Sequence, residues 1–149
     1  NTVTLFGTVS RMDSVQAAIL EFRVRKLEEI IRRRRTNAAL YRSLLNPKVT
    51  FSPPCREIEF NTFHTFVIQV ERREALRQHL GHVGIGTAIH YPVPIHVQPA
   101  AASLGYQEGD FPITERQARR IITLPVHQGL TDAQVRRVAT TVNKFLGAK

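Results

Sequence analysis

Apolar residues recur at helical spacing through the first third of the chain. Val15, Ile19, Phe22, Leu27, Ile30, Ile31, Ala38, Tyr41 and Leu45 recur at roughly helical spacing, the pattern of an amphipathic helix. Asp13 is a candidate N-cap, with Gln16 placed as the back half of a capping box. No Gly or Pro interrupts the pattern before Asn46-Pro47. The spacing therefore predicts one long helix over 13–45, bent midway. Beyond Ser52-Pro53-Pro54 the pattern changes period. Residues 64–70 are β-branched and aromatic and predict a buried strand. A helix is expected over 71–82, ended by Gly81 or Gly84. A second strand is expected over 85–91, a short helix over 99–104 closed by Gly105, and a short strand over 123–126. Thr114 with Gln117, and Thr131 with Gln134, match capping boxes. They predict helices over 114–122 and 131–146.

These elements define an α+β fold, a long N-terminal helix followed by a small sheet of two or three strands packed with helices. Two parts are expected: residues 1–46, an extended lead-in and long linking helix, and residues 47–149, a small α+β domain. The 149 residues suit a single core. The chain opens on Asn1 rather than Met, which reads either as the removal of a leading segment or as a piece of a longer protein. One cysteine, Cys55, excludes an internal disulfide framework and points to a reducing, cytoplasmic setting. No apolar run is long enough to span a bilayer.

The net charge of +9 invites a nucleic-acid reading. Most basic residues, however, fall on predicted helix faces, and no aromatic RNA-binding motif or zinc-finger spacing is present. Nucleic acid is therefore the least favoured partner. The dense run Arg32-Arg33-Arg34-Arg35 reads as a solvated helix face. Contact with an anionic ligand or an acidic partner surface are its alternatives.

Several residue groups could carry chemistry. His79 and His82 share a helix face, but no structural zinc spacing or HExxH pattern accompanies them, so no metal is expected. Cys55 sits beside Arg56, which favours a thiolate, yet no base is evident. Ser10-Arg11-Met12-Asp13 opens a helix, where amide donors and a guanidinium suit a phosphate or carboxylate; an ion pair of Arg11 is the plain alternative. The segment His90-Tyr91-Pro92-Val93-Pro94-Ile95-His96-Val97-Gln98-Pro99 is the most distinctive. Its prolines fix φ and remove amide donors, so it reads as a stiff, extended loop that aims polar side chains.

The motifs, taken in order, resemble one family. Arg11-Met12-Asp13 with Gln16-Ala17-Ala18 and Leu20, His64-Thr65-Phe66, and Ile89 to Ala100 resemble segments of the DegT/DnrJ/StrS sugar aminotransferases. So do Gly105-Tyr106, Gly109-Asp110-Phe111-Pro112 with Thr114-Glu115, Leu124-Pro125 and Leu130-Thr131-Asp132. Their colinear order covers nearly the whole chain. The resemblance implies an aspartate-aminotransferase-like fold of the pyridoxal phosphate (PLP) fold type I, of which this chain is the small C-terminal domain with its linking helix. It also implies a homodimer that uses pyridoxal phosphate to aminate nucleotide-linked keto sugars. In that setting His90, Tyr91, His96 and Gln98 bind substrate: His90 and Tyr91 hydrogen-bond sugar or nucleotide groups, and His96 and Gln98 fix the loop or reach the diphosphate. Ser10 and Arg11 lie at the cofactor phosphate or the dimer interface. The N-terminal large domain has no counterpart here. Lys26, Lys48, Lys144 and Lys149 do not lie in the family's catalytic-lysine loop. The chain alone is therefore expected to bind no cofactor and to have no catalytic residue. Val9 also replaces the family's usual phosphate-contacting asparagine. The alternative is a non-catalytic module for nucleotide-sugar binding or dimerisation.

Overall fold

The computed structural model describes residues 11–47, 49–51 and 56–147 together with Thr2, Thr4, Leu5 and Gly7; of Thr50 and Phe51 only the backbone is described. The expected lead-in over 1–10, the Ser52-Pro53-Pro54 turn, Lys48, Cys55 and Lys149 fall wholly or mainly outside these residues.

The expected long helix is two helices, α1 (Ser14–Val24) and α2 (Leu27–Leu44). At the junction the Lys26 N–H donates to the Arg23 carbonyl, 3.0 Å, an i→i−3 bond that tightens the turn. Lys26 has φ −108° and ψ 4°, outside the helical well. Neither Gly nor Pro marks this break. Gln16 accepts from the Asp13 amide at 3.3 Å, as the capping-box pattern requires. None of the residues of α1 is buried, and Val15, Ile19, Leu20, Phe22 and Val24 are all exposed. By contrast α2 buries Asn37, Ala38 and Tyr41.

The sheet is β1 (Thr50–Phe51), β2 (Phe66–Gln69) and β3 (Ile121–Leu124), in that spatial order and antiparallel throughout. Phe66 pairs with Leu124 and Ile68 with Ile122. This register puts four apolar side chains on one face, as the two-residue period of a strand demands. They join Tyr41 of α2, Leu76 and Leu80 of α3 (Arg73–His82), and Val135, Val138 and Val142 of α5 (Asp132–Gly147) in one core. Each fully buried Leu, Ile or Val contributes about 1.5–3 kcal/mol. Val67 and Thr123 face the other way, paired with each other. Helix α4 (Pro112–Arg120) precedes β3 directly.

Several boundaries differ from the sequence reading. The strand expected over 85–91 is a single bridge, Ala88 to Thr123. After it Pro92 and Pro94 supply no amide donors, so the chain leaves the sheet. The strand expected over 123–126 runs instead over Ile121–Leu124, because Pro125 cannot donate to the ladder. Helix α4 starts at Pro112, at the first helical position where a missing N–H costs nothing. Its cap is therefore not Thr114. The proline loop is not wholly extended, since Ile95–Val97 forms a 3-10 turn. The expected helix at Pro99–Leu104 is also 3-10, and it ends at Gly105 with φ 77°. Other expectations hold closely. Thr131 and Gln134 form the full capping box of α5, at 2.8 and 3.2 Å.

The arginine run is a solvated face only in part: Arg32 and Arg35 are exposed, while Arg33 and Arg34 are partly buried. Arg33 donates to the Leu130 carbonyl (2.7 Å) and to Asp132 (2.9 Å). Arg34 donates to the Phe63 and His64 carbonyls (3.2 and 2.9 Å), and Arg35 to the Asn61 carbonyl (2.8 Å). Three consecutive guanidiniums thus tie α2 to two separate connectors. These are contacts a forked, always-charged donor makes well.

Candidate functional site

The proline loop lies on the side of the sheet marked by Thr123, away from the main core. His90 opens it, with Nδ1 2.9 Å from Thr123 Oγ1 in a hydrogen bond. Thr123 is itself buried in β3, so the sheet anchors the loop's entry. The His90 ring remains exposed and meets the Tyr91 ring edge-on, centroids 5.6 Å apart. Tyr91 is 65% exposed. These two side chains are available to a ligand.

His96 and Gln98 are placed differently. Both are buried. Gln98 Nε2 donates to the Val93 carbonyl at 3.3 Å and braces the loop across its own turn. His96 Nε2 lies 3.0 Å from Glu115 Oε1. The same oxygen accepts from the Gly109 amide (2.8 Å) and the Phe111 amide (3.3 Å). An oxygen that takes two N–H donors is an acceptor for the third, so His96 carries its proton on Nε2. These contacts hold the Glu115 carboxyl below its usual range, the Gly109 amide contributing most, then His96 and Phe111. Burial opposes the shift and loses. His96 also packs on Phe111 (4.8 Å), which meets Tyr106 edge-on (5.2 Å).

The sequence reading gave Glu115 no role, although it closes the Gly109-to-Glu115 motif. Thr123 was also missed, because it reads as an ordinary strand residue. Arg11 is exposed at the approach to α1, and Ser10 lies outside the described residues, as does Val9. Nothing in the described structure brings Arg11 to the proline loop. Among the described residues no group of three His, Cys, Asp or Glu could hold a metal.

A cavity of about 200 Å³ lies beneath the loop, between Pro92, Val93 and Val97 on one side and Glu108, Glu115 and Arg119 on the other. Larger open clefts of about 620 and 610 Å³ flank α2, the first lined by Lys26, Arg32 and Arg33, the second by Ile31, Arg35 and Phe60. The arginines Arg33 and Arg35 that line them are engaged in tying α2 to its connectors, whereas His90 and Tyr91 project exposed from a braced loop. The loop is the better candidate for that reason.

The profile of the DegT/DnrJ/EryC1/StrS aminotransferase family matches residues 1–143, and the chain belongs to that family. It is 38% identical over 140 residues to a dTDP-3-amino-3,4,6-trideoxy-alpha-D-glucose transaminase of Streptomyces venezuelae, covering 93% of this chain and 37% of that protein. It is 35% identical over 144 residues to a protein of Geobacillus stearothermophilus named a pleiotropic regulatory protein, covering 95% and 39%. Among solved structures, S. venezuelae DesV in complex with a ketimine intermediate superposes with a TM-score of 0.84 at 37% identity, covering 96% of this chain and 39% of that one. The chain thus spans well under half the length of the relatives it matches.

Proposed function

We propose that this chain is the C-terminal part of a pyridoxal-phosphate-dependent aminotransferase of nucleotide-linked keto sugars, with the His90 to Gln98 loop lining the substrate side. The observation that carries it is the division of labour in that loop. His90 and Tyr91 face outward, while His96, Gln98 and Thr123 hold the backbone behind them. A loop braced from within presents its outer side chains at little entropic cost. The names of the relatives supply the ligand class, a nucleoside diphosphate sugar. His90 and Tyr91 offer hydrogen bonds to sugar or nucleotide groups; His96 and Gln98 fix the loop. Residues 1–46 serve as linker, with Arg11 and Ser10 near the cofactor phosphate or a subunit interface, and residues 47–149 form the small domain. Cytoplasmic location and homodimer assembly belong to the same reading. The exposed apolar side of α1 supports assembly. No helix of the described residues is long and apolar enough to cross a membrane.

The described residues do not by themselves fit pyridoxal phosphate. The cofactor's chemistry needs a lysine amine held at its aldehyde. Of the described lysines, Lys26 sits at the α1–α2 junction over Phe22 and Lys144 in the last turn of α5. Neither lines the cavity beneath the loop. An intact large domain would have to supply that lysine.

The test is to join this chain to such a large domain. The expected result is a cofactor absorbance band and glutamate-dependent amination of a keto sugar nucleotide. A complete protein that binds no pyridoxal phosphate at saturating cofactor ends the enzymatic reading. The placement of the described lysines also favours a second reading, a nucleotide-sugar-binding or assembly module without turnover. Calorimetry of this chain with a nucleotide sugar tests it: absence of both heat and any melting shift removes its ligand-binding form.

A further inference from the structure

We infer that Glu115 is the positioning residue of this binding face: its buried carboxylate locks the loop carrying His90 and Tyr91 to the loop carrying Tyr106 and Phe111. The inference deepens the nucleotide-sugar reading and rests on it for the identity of the ligand.

One oxygen, Glu115 Oε1, collects donors from three separate segments: His96 of the proline loop, Gly109 of the following loop, and Phe111 at the start of α4. Capping of α4 explains only the last of these. A buried carboxylate without such donors would be strongly unfavourable, so the donors and the burial require each other. The backbone is shaped to serve it. Gly109 has φ 104°, a conformation that side chains rarely adopt, and in that conformation its N–H meets the carboxylate.

The consequence reaches the surface through His96. Its ring is held by Glu115 on one side and packs on Phe111 on the other, and Phe111 in turn supports Tyr106. Tyr106 and Phe111 are half exposed, and Ile95, next to His96, is 76% exposed. The loop's entry is fixed independently by Thr123, and its exit is braced by Gln98 on Val93. Only the middle depends on Glu115. The main core lies on the opposite face of the sheet. Losing Glu115 should therefore free the loop's centre while the fold persists. The Glu115 carboxylate bonds His96, Gly109 and Phe111 rather than His90 or Tyr91, so it acts by positioning and not by binding.

The experiment compares the wild-type chain with Glu115→Ala, Glu115→Gln, Gly109→Ala and, as a core control, Val135→Ala. Amide hydrogen exchange is read by NMR, and dTDP-glucose binding by calorimetry. The informative amides are Val97 and Gln98, which bond within their own turn and not to Glu115. In Glu115→Ala their exchange rises roughly tenfold relative to Ile68 and Ile122 of the sheet. Gly109→Ala moves them in the same direction. Glu115→Gln recovers part of the protection, because its amide oxygen still accepts. Val135→Ala changes loop and sheet amides in parallel. Affinity for dTDP-glucose falls at least about fivefold in Glu115→Ala and partly returns in Glu115→Gln. Loop exchange that stays within about twofold of wild type in Glu115→Ala overturns the inference. So does a loosened loop that binds dTDP-glucose unchanged. If the wild-type chain itself gives no heat with dTDP-glucose, the ligand reading falls, and the exchange data alone decide whether Glu115 positions the loop.

Discussion

The side-chain amide of Asn143 completes the end of α2 by bonding Asn46 across 97 positions of sequence. Asn143 Oδ1 accepts from the Asn46 amide at 2.9 Å, and its Nδ2 donates to the Leu44 carbonyl at 2.7 Å. Backbone groups at a helix end need such partners. Here α5 supplies them to α2, and the two helices are pinned in register. Asn143→Ala leaves both groups to be met by water or not at all. It is expected to lower stability by about 1–2 kcal/mol, read as a reduced denaturant midpoint with unchanged slope. Asn143→Asp keeps an acceptor for Asn46 but leaves the Leu44 carbonyl without a donor, so it should not restore the midpoint.

Tyr41 joins α2 to β2 and to the segment that follows β3. Its ring stacks on Phe66 of β2 at 4.9 Å, and its hydroxyl donates to the Pro125 carbonyl at 2.8 Å. The side chain is fully buried, and desolvation raises its pKa far above the ordinary tyrosine value. A raised native value means that its stabilisation is complete below the unfolded tyrosine pKa. It is lost as pH rises above that point toward the native value. The tyrosinate absorbance of Tyr41 should thus appear only together with loss of helical circular dichroism. Tyr41→Phe, which keeps the stacking and strands the Pro125 carbonyl, should cost about 1–2 kcal/mol. An alkaline titration in which all three tyrosines ionise while the helices stay intact would contradict this.

The four consecutive arginines should behave unequally. Arg34 bridges two carbonyls, including that of Phe63, which has φ 51° without being a glycine. Arg32 is exposed and points toward open clefts. Arg34→Ala is expected to cost about 1–3 kcal/mol, and Arg34→Lys to recover part of it, since one nitrogen, Nη1, makes both bonds and an ammonium also carries several donors. Arg32→Ala should stay within about 0.5 kcal/mol of wild type. Thermal melts of the three variants at one salt concentration distinguish the roles. Equal losses at positions 32 and 34 would mean that the run acts by charge and not by these bonds.

What could be seen in the sequence followed the strength of the local signal. The capping box at Thr131 and Gln134 has its whole mechanism within four residues, and it was found in place. The helix end near Gly84 and the stop at Gly105 were equally local, both glycines having positive φ. The break at Lys26 was not visible, because no residue there forbids a continuous helix. The role of the arginines depended on carbonyls up to 97 positions away, which periodicity does not encode. The site was legible in the same uneven way. Prolines announced the loop and picked out His90 and Tyr91. That His96 and Gln98 turn inward was settled by Glu115 and Val93 only once the chain had folded.

Glu115 also gives the chain a specific acid response. Its carboxyl is held below the usual range, by the Gly109 amide first and by His96 and Phe111 after it. A depressed native value means that the unfolded chain takes up the proton first. The carboxylate's contribution is present in full above the ordinary carboxylate range and is lost as pH falls through the lowered native value. In Glu115→Gln this group cannot titrate, so the acid limb of the stability curve should flatten while the neutral-pH value drops. Glu59 is likewise held low, by the Arg56 backbone and side chain on an exposed turn, and is compared through Glu59→Gln. Denaturant midpoints collected between neutral and acid pH separate the two. A Glu115→Gln curve that runs parallel to wild type throughout would show that the carboxylate is not the group that responds, and that the His96 contact survives its protonation.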